Sequence, residues 1–257
     1  MEEVWFKSND FELAGTLCIP KGATKKKFPG LIYCSGFAGY KKSRMKIIQG
    51  LCNSGDYVVF TFDFRGIRKS EGKLDFAAQV DDLKAAITYL QSRKEVDDRI
   101  IVVGMCLGGA VAICTAAQDQ RIKAVAIWDT PVLSQPDLDR MLKLPGAIST
   151  RIHGFYHSWH VSGTMGYNKK AWAWAKINPI ECISNISPRP LLIIHRKNDI
   201  QVPSRYAHVL YDKAREPKKL IMVDGRNHSE LADFFTSTDK KDGAINLTLD
   251  WLSHFQE

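Results

Sequence analysis

The chain contains no apolar run approaching the roughly 20 residues needed to cross a bilayer, so its sequence excludes a helical membrane span. None of its six cysteines (18, 34, 52, 106, 114 and 182) falls in a Cys-x-x-Cys pair or a finger spacing, which argues against a structural zinc class. Cys18, Cys34 and Cys114 lie in apolar runs and read as small buried hydrophobes. No continuous apolar stretch opens the chain, where acidic residues occur instead, so no secretory leader is expected. These traits fit a reducing, cytoplasmic setting, which also keeps a nucleophilic thiol usable. Internal repeats and low-complexity tracts are missing. So is any nucleic-acid-binding motif beside the net charge of +8, whose basic residues are scattered rather than gathered into one arm. A solvated basic surface, or attraction for anionic substrates, is the reading left.

What is present is a rhythm. Residues 4–7 and 11–19 read as a hairpin turning at Ser8-Asn9-Asp10. Apolar strands are expected at residues 31–34, 57–62, 100–105, 125–128, 191–195 and 220–223. Helices are expected between them, over about 42–53, 76–93, 107–117 and 205–215, with a last one from about 244. Strands alternating with helices imply an α/β fold with a mostly parallel central sheet. The alternation breaks once, between Thr130 and Pro188, in a stretch rich in Phe, Tyr and Trp. The expectation is a single domain over residues 1–257, with 131–187 forming a lid or cap insertion.

The residues that carry chemistry are Gly104-Met105-Cys106-Leu107-Gly108-Gly109, between an apolar strand and a helix of small residues. A nucleophile on so sharp a turn needs small neighbours, and glycines two positions either side of Cys106 provide them. The N-terminus of the following helix favours a thiolate, as does a nearby histidine. Two later strands end in candidate partners: Asp199 follows residues 191–195, and His228 follows residues 220–223. Catalytic groups of open α/β sheets gather on that edge. His228 is expected to take and return the proton, and Asp199 to fix the imidazole tautomer. Asp129, at the end of residues 125–128, is a rival acid; Asp199 is preferred because its strand directly precedes that of the histidine. Backbone N–H groups of Leu107 and of Phe37, in the loop Ser35-Gly36-Phe37-Ala38-Gly39, are the candidate oxyanion hole.

Over nearly its full length the chain resembles the α/β-hydrolase superfamily. Its cysteine elbow is similar to that of dienelactone hydrolases and of bile-acid amino-acid acyltransferases, a resemblance that implies a Cys-Asp-His triad. The segment from Asp63 to Gly72 resembles the loop found after a strand in esterases and acyl peptidases of the superfamily. Two departures stand out. Ser35-Gly36 replaces the frequent His-Gly, and no acidic residue occurs between Leu31 and Lys46, where dienelactone hydrolases carry a glutamate.

Arg65, Tyr156, Trp159 and Trp172 are candidate substrate contacts: Arg65 on the catalytic edge for an anionic group, the aromatics in the insertion for an acyl pocket. His153, His157 and His160 have a helical metal-ligand spacing but no nearby carboxylate, so lining of an aromatic lid is preferred, and no metal or cofactor is expected. The leading expectation is hydrolysis of an ester, thioester or lactone through acyl-Cys106. Transfer of the acyl group to an amine or alcohol is the alternative, and a non-catalytic binding protein on the same fold is another. The partner is then a small acyl substrate, with coenzyme A or a carrier protein's phosphopantetheine as conceivable carriers; neither nucleic acid nor membrane insertion is expected.

Overall fold

In the computed structural model, the residues described are 1–21, 27–36, 41–132, 178–226, 228, 241 and 243–255. The order of elements is β1 (Glu2–Ser8), β2 (Phe11–Cys18), β3 (Phe28–Cys34), α1 (Lys41–Cys52), β4 (Val58–Phe62), α2 (Gln79–Gln91), β5 (Val96–Met105) and α3 (Leu107–Ala116). Then come β6 (Ile122–Trp128), the one-turn α4 (Pro179–Cys182), β7 (Leu191–Arg196), α5 (Arg205–Lys213), β8 (Lys218–Val223) and α6 (Ala244–Ser253).

Among the described residues these strands form one sheet of eight, ordered β1-β2-β4-β3-β5-β6-β7-β8. The hairpin β1–β2 joins antiparallel to β4 at one edge. From β4 to β8 every pairing is parallel. Alternation of side chains along each central strand feeds two apolar layers. Ile32, Val102, Val125 and Ile193 face the layer that includes α2, α3 and α5. Tyr33, Val103, Ala126 and Ile194 face the layer of α1 and α6. Burial on both faces is why these strands read as continuous apolar runs rather than alternating ones.

Strands β1, β3, β5, β6 and β8 start earlier than the apolar runs imply, whereas β2, β4 and β7 begin within a residue of expectation. β5 begins at Val96 and passes through Asp97, Asp98 and Arg99, which are solvent-accessible. Its backbone ladder nonetheless already pairs Val96 with Phe28. Pairing at a sheet's rim does not require apolar side chains, so hydropathy marks only the covered middle of a strand. The opening hairpin is likewise tighter than expected: Ser8 pairs with Phe11, leaving Asn9 and Asp10 as a two-residue turn, with Asn9 at φ +52°. Most of the expected insertion, residues 131–187, lies outside the described residues. Its last part is described: Ile183 and Ile186, just past α4, are buried in the same layer as α3. No described helix is long and apolar enough to cross a membrane.

Candidate active site

The parallel strands β5, β6, β7 and β8 end side by side, so the loops leaving them share one rim of the sheet. Cys106 stands at the end of β5, with φ +51° and ψ −121°. That region costs a non-glycine residue about 1–3 kcal/mol and persists only where neighbours enforce it. Here the Cys106 N–H is held by the Trp128 carbonyl at 2.8 Å, while the Cys106 carbonyl accepts the N–H of Gly109 at 3.0 Å. The turn works because the start of α3 closes onto β5: a Cβ on Gly104 would lie 2.5 Å from the Gly108 carbonyl oxygen. Leu107 is the first residue of α3, so its N–H has no acceptor within the helix. Phe37, the other expected oxyanion donor, lies outside the described residues, as do Tyr156, Trp159, Trp172, His153, His157 and His160.

Asp199 and His228 come from adjacent loops joined through their backbones. Lys197 N–H bonds the Val223 carbonyl at 2.8 Å, Asn198 N–H that of Gly225 at 3.1 Å, and Ile200 N–H that of Arg226 at 3.2 Å. Asp199 is buried, and its Oδ1 accepts the N–H groups of Gln201 at 2.8 Å and Val202 at 2.9 Å. Its Oδ2 lies 2.6 Å from His228 Nδ1. Burial opposes ionisation of Asp199, but the hydrogen bond and charge of His228 and the two N–H groups prevail and lower its pKa.

The opposite ring nitrogen, His228 Nε2, is buried and makes no hydrogen bond of standard geometry among the described residues. Cys106 is nevertheless near enough for its charge to act on the ring. Burial pushes the His228 pKa down, yet the negative charge of Cys106 and the bond to Asp199 outweigh it and raise the pKa to about 10. The imidazole thus has an acid on one nitrogen and faces a potential thiolate with the other, which is the arrangement a proton-shuttling histidine needs.

Arg65 is held in a buried ion pair with Asp82. It is buried, and its Nε and Nη2 sit 2.9 and 2.6 Å from Asp82 Oδ1, with Ser8 Oγ 3.2 Å from Nη2. It clips the loop after β4 to α2 and β1, because a buried guanidinium is held by the carboxylate that neutralises it. The guanidinium expected to meet an anionic substrate is thus engaged by Asp82.

Asp129, the rival acid, is buried and engaged by Arg196. Its Oδ1 accepts the Arg196 backbone N–H at 2.8 Å, and its Oδ2 accepts Nε at 2.7 Å with Nη2 at 2.6 Å. Ligand atoms of Asp129, Asp199 and His228 lie within 4.8 Å of one another, a metal-like spacing. The guanidinium of Arg196 already supplies the positive charge there. Sequence reasoning missed Arg196; its one signal was a cation closing an otherwise apolar strand three residues before the acid.

A strained cysteine turn between strand and helix, with Asp199 and His228 after β7 and β8 of a mostly parallel sheet, is the architecture of the α/β-hydrolase fold. The chain is similar to solved structures across nearly its whole length. One is protein PA2218 of Pseudomonas aeruginosa, with a TM-score of 0.75 and 21% identity, covering 99% of this chain and 92% of that one. Another is an esterase domain of a Rhodothermus marinus protein, with a TM-score of 0.70 and 23% identity, covering 98% of each. At such identities the likeness carries the fold. The family follows from sequence: the model of the Dienelactone hydrolase family matches residues 13–150, more than half of the chain, and the chain belongs to that family. The matched stretch contains Cys106 and ends before Asp199 and His228. YfhR of Escherichia coli K12, an uncharacterised protein, is 28% identical over 232 residues, covering 88% of this chain and 73% of YfhR.

Proposed function

We propose that the protein hydrolyses a carboxylic ester or thioester through an acyl-Cys106 intermediate, with His228 as proton carrier and Asp199 as its orienting acid. The observation that carries this reading is His228, bonded to Asp199 on one ring nitrogen and acted on by the charge of Cys106 at its other side. The thiolate attacks the acyl carbon, and the carbonyl oxygen gathers negative charge at the N–H of Leu107, with Phe37 N–H as the second donor. Collapse expels the alcohol or thiol, which takes the proton from His228. Water then gives a proton to His228 as its oxygen attacks the thioester. The carboxylic acid leaves and the thiolate is restored.

The absence of an acidic residue between Leu31 and Lys46 favours simple acyl esters or thioesters over the dienelactone itself. Intact-mass spectrometry after incubation with activated esters and acyl-coenzyme A thioesters tests the proposal. An acyl adduct in the wild type that is absent from Cys106→Ala supports it. Turnover that survives in Cys106→Ala overturns it. The same panel run with amine or alcohol acceptors would reveal acyl transfer as a transferred product instead of free acid.

A further inference from the structure

The rim holds two buried carboxylates close to the His228 ring, Asp199 and Asp129, and the second also lies 3.9 Å from the buried His195 Nε2. An Asp129 oxygen, an Asp199 oxygen and a ring nitrogen of His228 all lie within 4.8 Å of one another, yet only Asp199 is hydrogen-bonded to the ring. Arg196 stands between the two acids. Its Nη2 is 2.6 Å from Asp129 Oδ2 and 3.5 Å from Asp199 Oδ2, so it sits nearer the first while touching the field of the second.

We propose that Arg196 is a positioning residue, which by clamping Asp129 keeps that carboxylate off His228 and reserves Asp199 as the acid partner of the ring.

The clamp has little freedom. Arg196 is fixed at its own backbone N–H as well as its guanidinium, both by Asp129. Its stem runs against the loop that carries the histidine: a Cβ on Gly225 would lie 2.7 Å from Arg196 Cδ. Gly225 therefore lets the histidine loop close over the arginine. Two anions side by side in a buried site repel, and an unclamped pair would share protons rather than present one fixed acid. With Arg196 in place the charges alternate from Asp129 through Arg196 and Asp199 to His228 and Cys106. Beside them the buried His195 has its Nε2 3.9 Å from Asp129 Oδ1 and 3.0 Å from the Val202 carbonyl.

This inference rests on the proposed triad, but its test does not need turnover. The pH at which His228 gives up its proton is read from its ring nitrogens by NMR, with thermal unfolding as the control. Asp129→Asn removes one anion and turns the guanidinium of Arg196 towards Asp199, drawing the acid from the ring. The His228 titration is expected to fall by about one pH unit or more, a tenfold change in proton affinity, and kcat/KM to drop about tenfold. Arg196→Gln removes the cation and must shift the titration the opposite way. The double variant Arg196→Gln with Asp129→Asn removes both charges and should return titration and turnover towards wild type. Should Asp129→Asn fail to fold, the other two variants still decide the matter by sign. Unchanged titrations, or single variants that shift in one direction, overturn the proposal. Turnover persisting in Cys106→Ala would sink the triad and leave the NMR result standing.

Discussion

His228 Nδ1 sits 2.6 Å from Asp199 Oδ2, on a loop whose backbone is bonded to the loop that carries the acid. The contact is therefore set by main-chain pairing past the ends of β7 and β8, not by two side chains that happen to meet. Asp199 Oδ1 is spent on two backbone N–H groups, so Oδ2 alone is left for the ring.

That division of oxygens makes Asp199→Asn informative. The amide oxygen can still take the N–H groups of Gln201 and Val202, so the loop should keep its shape. The amide NH2 then faces Nδ1 and favours the wrong tautomer. A loss of kcat/KM on the order of 10²- to 10⁴-fold is expected, with a thermal midpoint close to wild type. Steady-state kinetics at neutral pH decides it, and a loss below tenfold would transfer the acid's role to Asp129.

The pH dependence follows from two opposite shifts. His228 is raised to about 10, above its ordinary ~6.5, so its contribution to stability is whole below ~6.5 and is lost as pH rises through about 10. Asp199 is lowered, so its contribution is present above its unfolded value of ~3.9 and disappears on further acidification through its folded value. Cys106→Ala deletes a negative charge that raises the ring. Its loss of stability should then be smaller and complete at a lower pH than in the wild type, although both begin near ~6.5. Urea midpoints at about pH 6, 8 and 10 measure this. Superimposable curves for the two proteins would mean that Cys106 does not act on His228.

How much of this was legible depended on where the signal lay. The elbow could be read because its constraint is local: glycines two positions either side of Cys106 have to be where they are for the turn to exist. The order of Cys106, Asp199 and His228 could be read because parallel strands deliver their loops to one rim. The pairing of Arg65 was hidden because sequence shows that it follows a strand, but not that Asp82, 17 residues on, meets it beneath the surface. Arg196 was overlooked for the same reason, its partner Asp129 lying 67 residues away. Long-range charge pairing leaves no periodicity to detect.

The elbow's packing gives a prediction about stability. At Gly104 the nearest atoms to an added Cβ are all backbone of Gly108 and Gly109, which cannot swing aside. Gly104→Val should therefore destabilise by about 1–3 kcal/mol or more and also displace Cys106. Chemical denaturation and the rate of Cys106 alkylation would report the two effects together. A variant as stable as wild type with unchanged alkylation would show that β5 and α3 are less tightly apposed than described.

The last prediction separates structure from recognition at Arg65. Its guanidinium and the Asp82 carboxylate are both buried, and Asp82 also accepts the Arg65 backbone N–H at 3.0 Å. Arg65→Met leaves that carboxylate uncompensated in the interior, which should cost about 3–5 kcal/mol. Converting both partners, Arg65→Met with Asp82→Leu, removes the stranded charge and should recover much of the loss. If Arg65 is only a clip, the double variant keeps KM for an anionic acyl substrate near wild type once folded. A large rise in KM with stability restored would instead return Arg65 to substrate binding, so unfolding and KM must be measured on the same preparations.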